Sequence, residues 1–486
     1  MDRDCALTAG RVCCYRMHAM VETFSRLRYI SIRAATFAVI LLAFSAGAAS
    51  PTAVKNDDSC DLGHAPAATL LLPYFEVDLE DRTGDTTLFT ITNVTNIERI
   101  ARVTLWTDLA YPVITFNVYL TGYDVQSFNL WDIVAGQGIA LPGGTGTVVS
   151  NTGDRSGPNS RLDLSNCRII SSHIDAATLE RMQQAFTLGQ IDGVCNEVGG
   201  THQHAVGYAT IDVVGNCANN GPADAAYFTE DIRYDNVLIG DYQHVNGSEN
   251  FAQGGPMVHI RAIPEGRTPQ TRSLFPTRFS QTFYGRLQPA AQPLLDARQP
   301  LPSVFAARWI NGGTGDFQTS FRIWRQGVSA ASANCADYED NERPVAESIV
   351  FDEHENGEGS APESCDITCI GVEPISLRPS ASIDVEPGSE TFPQAILSAA
   401  TSGWVYVNLD DDDAATLGAP QAWVIATMRA EGRYSVDFDA AWLGNGCSPF
   451  VPMTSYSDPS LPPPGNATTP THPNAVLPGP AADVNP

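Results

Sequence analysis

His202 and His204 stand in the run GGTHQHAVGYATIDV, an HxH pair just ahead of an alternating apolar stretch. Alternate side chains of an extended strand point the same way, so two imidazoles at this spacing could hold one metal ion. His259, between Val258 and Ile260, is a candidate third ligand. The competing reading places the pair in a loop facing solvent, which Gly199 and Gly200 favour. A second candidate is the run Asp410-Asp411-Asp412-Asp413, which follows the apolar segment Trp404 to Leu409. Four adjacent carboxylates repel one another unless a cation or water relieves them. Calcium takes several carboxylate oxygens in a flexible geometry, so these four residues are the candidate calcium ligands. The run lacks the alternating acids, central Gly and distal Glu of an EF-hand, and the alternative is a solvated acidic turn. Asp352-Glu353-His354-Glu355 with Glu358 reads as a charged loop.

The cysteines carry the other chemistry. Cys5, Cys13 and Cys14 fall within a leader-like N-terminus, and eight remain: Cys60, Cys167, Cys195, Cys217, Cys335, Cys365, Cys369 and Cys447. An even number in an exported chain points to disulfides. No pair of CxxC knuckles is present, which argues against a structural zinc site built on thiolates. Proximity along the chain singles out Cys365–Cys369 and Cys195–Cys217 as expected pairs. No G-x-S-x-G elbow occurs, and GGTGT at 143–147 lacks the lysine of a phosphate-binding loop. Paired carboxylates of a polysaccharide hydrolase are compatible with so acidic a chain, but spacing in sequence picks out no pair.

The leader sets the expected compartment. Arg26, Arg28 and Arg33 precede the apolar run Ala34 to Phe44 and the small residues Ser45 to Ala49, the three parts of a secretory signal peptide. Cleavage is expected after Ala48, and residues 1–16 read as an overcalled start. The apolar run is shorter than the roughly 20 residues of a spanning helix. No lipobox precedes Cys60. Residues 1–48 hold six arginines and three acids, which leaves 22 basic against 52 acidic residues and a net charge of −30 downstream. That field disfavours nucleic acid and anionic membrane surfaces and favours cations. After cleavage no membrane insertion is expected, and the location is extracellular, at the outer surface or in the periplasm.

The elements that must position these groups read as strands. Ala101, Val103 and Leu105 alternate with Arg102 and Thr104; Ile114, Phe116, Val118 and Leu120 with Thr115, Asn117 and Tyr119. Ala209, Ile211 and Val213 alternate with Thr210 and Asp212, and Tyr434 to Trp442 repeats the pattern. Period-2 segments of this kind suit antiparallel sheets with one wet face. Trp106, Tyr119 and Trp324 then fall on polar sides, where rings either stack on sugars or are covered by another layer. One helix stands out, Ala176 to Leu188, with Asp175 as its N-cap and Gly189 as its C-terminal stop.

The expected organisation is mainly β, with two antiparallel sandwich-like domains of immunoglobulin-like or jelly-roll type, long loops and one short helix. The first spans 51–265 and the second 301–450. Residues 266–300, with five Pro and five Arg, form a connector, and 451–486 form a Pro-rich tail expected to be disordered. The segments AATLLLPYFEVDL (67–79), TTLFTITNV (86–94), ARVTLWTD (101–108), FNVYLTGYDVQSFNL (116–130) and GRYSVDFDAAWLGNGC (432–447) resemble a family of secreted bacterial proteins with no assigned activity. More loosely, the strand-rich text resembles immunoglobulin-like domains of bacterial surface proteins. The resemblance implies export and a β-rich fold and transfers no catalytic residue. The HxH pair also lacks the Glu four or five residues downstream that a cupin-type site needs, since Tyr208 and Ala209 stand there. The leading expectation is an exported, non-enzymatic structural or surface-binding protein, with calcium as candidate cofactor and a surface glycan or protein as partner. A secreted polysaccharide hydrolase and a glycan-binding module are the alternatives.

Overall fold

In the computed structural model, strands account for most of the described chain, namely residues 65–136, 147–149, 167–169, 174–191, 195–218, 220, 226–262, 298, 301–327, 338, 341–345, 347–360, 376–388, 392–409, 421–430 and 434–442. The leader, the Asp410–Asp413 run, the Pro-rich tail and most of the connector therefore lie outside the described residues. The first half supplies β1 (Thr69–Val77), β2 (Asp85–Asn93), β3 (Arg99–Thr107), β4 (Pro112–Leu120), β5 (Val125–Asn129), β6 (Thr147–Val149) and β7 (Arg168–Ile169). It continues with β8 (Ala205–Val214), β9 (Leu238–Asn246), β10 (Phe251–Pro256) and β11 (Val258–Ile260). One sheet has the order β11-β1-β8-β3-β4-β6-β7 and a second β10-β9-β2-β5; β1 packs against β2 and β9, which joins them face to face. The pairing is antiparallel except for β4–β6 and β6–β7.

The second half repeats the theme. Its strands are β12 (Val304–Ile310), β13 (Phe317–Arg325), β14 (Arg343–Pro344), β15 (Glu347–Asp352), β16 (Gly357–Ser360), β17 (Ser376–Leu377), β18 (Ser380–Asp384), β19 (Ser402–Asn408), β20 (Ala422–Ala430), β21 (Tyr434–Asp439) and β22 (Ala441–Trp442). They form sheets β16-β15-β19-β12-β22 and β18-β13-β20-β21, with β14–β17 as a small ribbon. The result is a mainly β, sandwich-like architecture. Its two halves share one hydrophobic core, in which Phe75, Trp106 and Tyr208 are continuous with Phe321, Trp324 and Trp423.

That shared core corrects the expected wet face. All ten residues of β8 are buried, and β3 is buried on both sides from Ile100 onward. Alternation marks which residues are apolar, not what lies above them. The polar side of β3 and β8 is covered by Trp324 of the second half at Trp106 and Tyr208, and by Ala218, Asn220, Tyr227, Asp231 and Arg298 at Arg102 and Asp212, and its groups satisfy one another. Trp106 donates through Nε1 to Thr210 Oγ1 at 2.9 Å, and Thr104 meets Thr115 at 3.1 Å. Ser380 Oγ donates to the carbonyl of Pro73 at 3.0 Å. Proline cannot donate to a ladder. The register of β1 against β8 shifts at this point, with a bulge between Leu72 and Phe75. The extra residue lets Phe75 and Val77, of opposite parity to Leu70 and Leu72, enter the core beside them. Glu76 is left partly exposed.

The helix read from sequence spans Ala176–Leu188 and is α2 here. Asp175 caps it through a hydrogen bond from Thr178 N, and Met182, Ala185 and Phe186 are buried. Gly189 ends it with φ 62°, and a side chain there would collide with the carbonyl of Gly199. Two short helices were not anticipated, α1 (Leu130–Val134, capped by Asn129) and α3 (Gln394–Ala399). At five and six residues they are too short to show a helical period.

Cys217 is bonded to Cys167, with a sequence separation of 50, and not to Cys195. Cys195 is itself disulfide-bonded. The remaining five candidates, Cys60, Cys335, Cys365, Cys369 and Cys447, lie outside the described residues. Proximity in sequence misled because the sheet brings the chain just before β7 beside the end of β8, where Cys167 and Cys217 pack with Ile100, Tyr119 and Val214. Arg102 holds the same corner. Its buried guanidinium donates to the carbonyls of Ala218 and, at 3.1 Å, Asn220, and it pairs with Asp231 at 3.2 Å. Replacing Cys167 and Cys217 together by Ser is expected to cost about 2–4 kcal/mol, since closing a loop of this length removes about 4 kcal/mol of chain entropy from the unfolded state. The urea midpoint of the double variant, compared with that of the oxidised parent, measures it.

Candidate metal centre

The N-terminal hairpin brings together the groups most suited to chemistry. Between Glu76 and Asp85 the chain reads EVDLEDRTGD, five acids against one arginine. Glu76 lies near the end of β1 and Asp85 opens β2. The turn between them is held by Asp78, whose backbone N donates to the Asp85 carbonyl at 2.7 Å. Its Oδ1 accepts from the backbone N–H groups of Glu80 and Asp81 at 2.8 and 3.0 Å. Gly84 leaves room for the Asp78 carboxylate, since a Cβ there would lie 2.4 Å from Asp78 Oδ2 and force that side chain to move.

His204 completes the group from across the sheet. β1 and β8 pair as Val77 with Ala205, so the residue before β8 falls level with the hairpin. Its Nδ1 is 2.9 Å from Glu76 Oε1 and 3.6 Å from Asp85 Oδ2, and its Nε2 is 3.9 Å from Asp78 Oδ2. One ligand atom from each of Glu76, Asp85 and His204 lies within 4.8 Å of the others. The four side chains are between 20% and 32% exposed, which screens them incompletely. Burial, and then the neighbouring charge of Glu76, raise the Asp85 carboxyl above its ordinary value. Among the described residues, His204 is the only basic side chain in ion-pair range of Glu76, Asp78 or Asp85.

A second layer fixes the first. Tyr74 OH donates to Glu76 Oε2 at 3.0 Å, and Thr87 Oγ1 accepts from Glu76 N at 3.2 Å. Thr87 Oγ1 also meets His244 Nδ1 at 2.9 Å, and burial holds that imidazole well below its usual range, hence neutral. The guanidinium of Arg322 sits 4.8 Å over the Tyr74 ring, so the second half of the chain braces the centre from behind.

The structure gives the two histidines of the HxH pair different partners. They precede β8, so strand alternation does not apply to them. His202 Nε2 lies 2.8 Å from Asp108 Oδ2, a buried carboxylate that also receives Arg378 at 3.0 Å and Gly200 N at 2.8 Å. Burial alone would raise the Asp108 carboxyl. The hydrogen bond and charge of His202, with the Arg378 charge, outweigh it and hold the group below its ordinary range. Arg378 comes from the second half, so this cluster latches the halves together. His259 is buried, with Nδ1 on the Ala65 carbonyl at 3.0 Å and Nε2 beside Gly240. In the acidic loop, Glu353 pairs with Arg308, and Asp352 accepts from His354 N at 2.8 Å and Asn356 N at 2.9 Å. Trp106, Tyr119 and Trp324 are all buried, so they offer no platform for a sugar.

Glu76 and Asp85 were not singled out from sequence. The available signal was a run of acids alternating out of a strand and into a turn, with no lysine or second arginine to balance them. Scans against family models, curated proteins and solved structures find no match to this chain. What the fold and the geometry define is thus a class only, a sandwich-like β protein with a carboxylate–imidazole centre.

Proposed function

We propose that this chain is an exported, non-enzymatic protein of the cell surface or extracellular space, braced by a divalent cation at Glu76, Asp85 and His204. The observation that carries the reading is the convergence of these three donors, from a strand end, a strand start and a segment more than a hundred residues away, with no arginine or lysine among the described residues in ion-pair range of them. An ion there would join the first hairpin to the start of β8. The export part is supported by the leader-like N-terminus and by the Cys167–Cys217 disulfide, which suits an oxidising compartment. No helix among the described residues is long and apolar enough to cross a membrane. The hydrolase alternative gains no observation of its own, since both carboxylates are committed to one imidazole.

A ligand that binds only the folded state raises stability by mass action, by about 2.7 kcal/mol at a hundred times its Kd. The oxidised, chelator-stripped chain is therefore expected to melt several degrees higher with a saturating divalent cation. The gain should vanish when Glu76→Gln and Asp85→Asn are combined. A melting temperature indifferent to zinc, manganese and calcium alike would remove the reading.

A further inference from the structure

We infer that the centre selects a borderline first-row cation of the zinc type over calcium, with Asp78 as the carboxylate that orients the His204 ring behind the metal; this rests on the cation-binding reading above. The donors decide the selectivity. Calcium takes six to eight oxygens, and of the six carboxylate oxygens here two already accept hydrogen bonds from other groups. Glu76 Oε2 accepts from Tyr74, and Asp78 Oδ1 accepts from two backbone N–H groups. Glu76 Oε1 and Asp85 Oδ2 face a nitrogen donor, His204 Nδ1, at 2.9 and 3.6 Å. One nitrogen and two carboxylate oxygens, with water completing the shell from the exposed side, suit zinc or its neighbours and leave calcium far short of its oxygens.

The ring orientation follows from the far nitrogen. His204 Nε2 faces Asp78 Oδ2 at 3.9 Å, so a small closure puts the Nε2 proton on that oxygen and leaves the Nδ1 lone pair for the metal. Carboxylates placed behind a ligating imidazole in this way typically change metal affinity by about 10–100-fold. Asp78 is pre-set for the task by its turn and by the missing side chain at Gly84.

Titration calorimetry on the oxidised, stripped full chain with zinc, manganese and calcium tests both parts, and cobalt serves as a spectroscopic stand-in for zinc. Zinc is expected to bind one per chain, at least about 100-fold tighter than calcium. His204→Gln should abolish that preference and the visible cobalt bands. Asp78→Asn should weaken zinc about 10–100-fold and shift the cobalt spectrum. Calcium binding as tightly as zinc, or zinc binding unaltered in His204→Gln, would overturn the inference and leave a cation-binding protein of another selectivity. An unshifted cobalt spectrum in Asp78→Asn would overturn the positioning role alone. Absence of any cation binding would remove the underlying reading as well.

Discussion

Replacing Arg298 by Met is expected to destabilise the protein by about 3–5 kcal/mol, the cost of stranding a buried carboxylate without its partner. Arg298 belongs to the proline- and arginine-rich stretch that sequence alone reads as a connector. Instead its guanidinium is fully buried and donates to Asp212 Oδ1 at 2.6 Å and to Thr69 Oγ1 at 2.7 Å. Thr69 Oγ1 donates in turn to Asp212 Oδ1 at 2.6 Å, and Tyr227 OH donates to Asp212 Oδ2. Burial, and then the Asp212 charge, push the Tyr227 phenol far above its ordinary value, so it remains a donor. Removing the cation leaves the anion with two neutral donors in an apolar core. The double variant Arg298→Met with Asp212→Asn should recover most of the loss, because a buried pair is often no more stabilising than neutral groups of its size. Urea unfolding of both variants at neutral pH measures this; a single variant costing less than about 1 kcal/mol would show that water reaches Asp212.

Trp106→Ala should cost a similar amount, about 3–5 kcal/mol, through lost contact and the cavity it leaves. The indole is fully buried and stacks on Tyr208 with ring centres 5.7 Å apart, and Tyr208 meets the edge of Trp324 at 6.0 Å. The three rings run from β3 through β8 to β13, from the first half into the second. Removing the first also strips Thr210 Oγ1 of its donor. The same variant should therefore loosen the coupling between halves, seen as a tryptophan fluorescence transition that no longer coincides with the circular dichroism transition. Trp106→Phe keeps most of the ring contact and should cost markedly less. Coincident transitions with an unchanged midpoint in Trp106→Ala would contradict the role assigned to the stack.

What was legible in the sequence was local. Asp175 and Gly189 mark the ends of one helix because capping depends on a few adjacent residues, and the strands at 99–107, 112–120 and 205–214 follow from side-chain period. What was not legible depended on neighbours distant in the chain. The faces bearing Arg102, Thr104 and Asp212 looked wet because nothing local says that another sheet or a buried arginine will cover them. The disulfide of Cys217 reaches back fifty residues past a nearer cysteine, along a sheet contact that spacing does not encode. The centre was only partly visible. His204 was found, but it was paired with its sequence neighbour His202, whereas the fold sends one imidazole to Glu76 and the other to Asp108. Burial of Trp106 and Trp324 likewise follows from packing between the halves, and that of Tyr119 from the corner where Cys167 and Cys217 meet.

The Cys167–Cys217 bond also changes what a protease can accomplish. Helix α2, its Gly189 stop, His202, His204 and all of β8 lie on the covalent ring that this bond closes. One cut anywhere on the ring opens it without releasing a fragment, and the molecule keeps its full mass until a reductant arrives. A cut outside the ring, in the stretch that leads to β9 for instance, divides the molecule unless another disulfide spans it. Bond cleavage and loss of material are thus separate events for the segment that carries His204, and an oxidising surroundings would keep a nicked molecule in one piece.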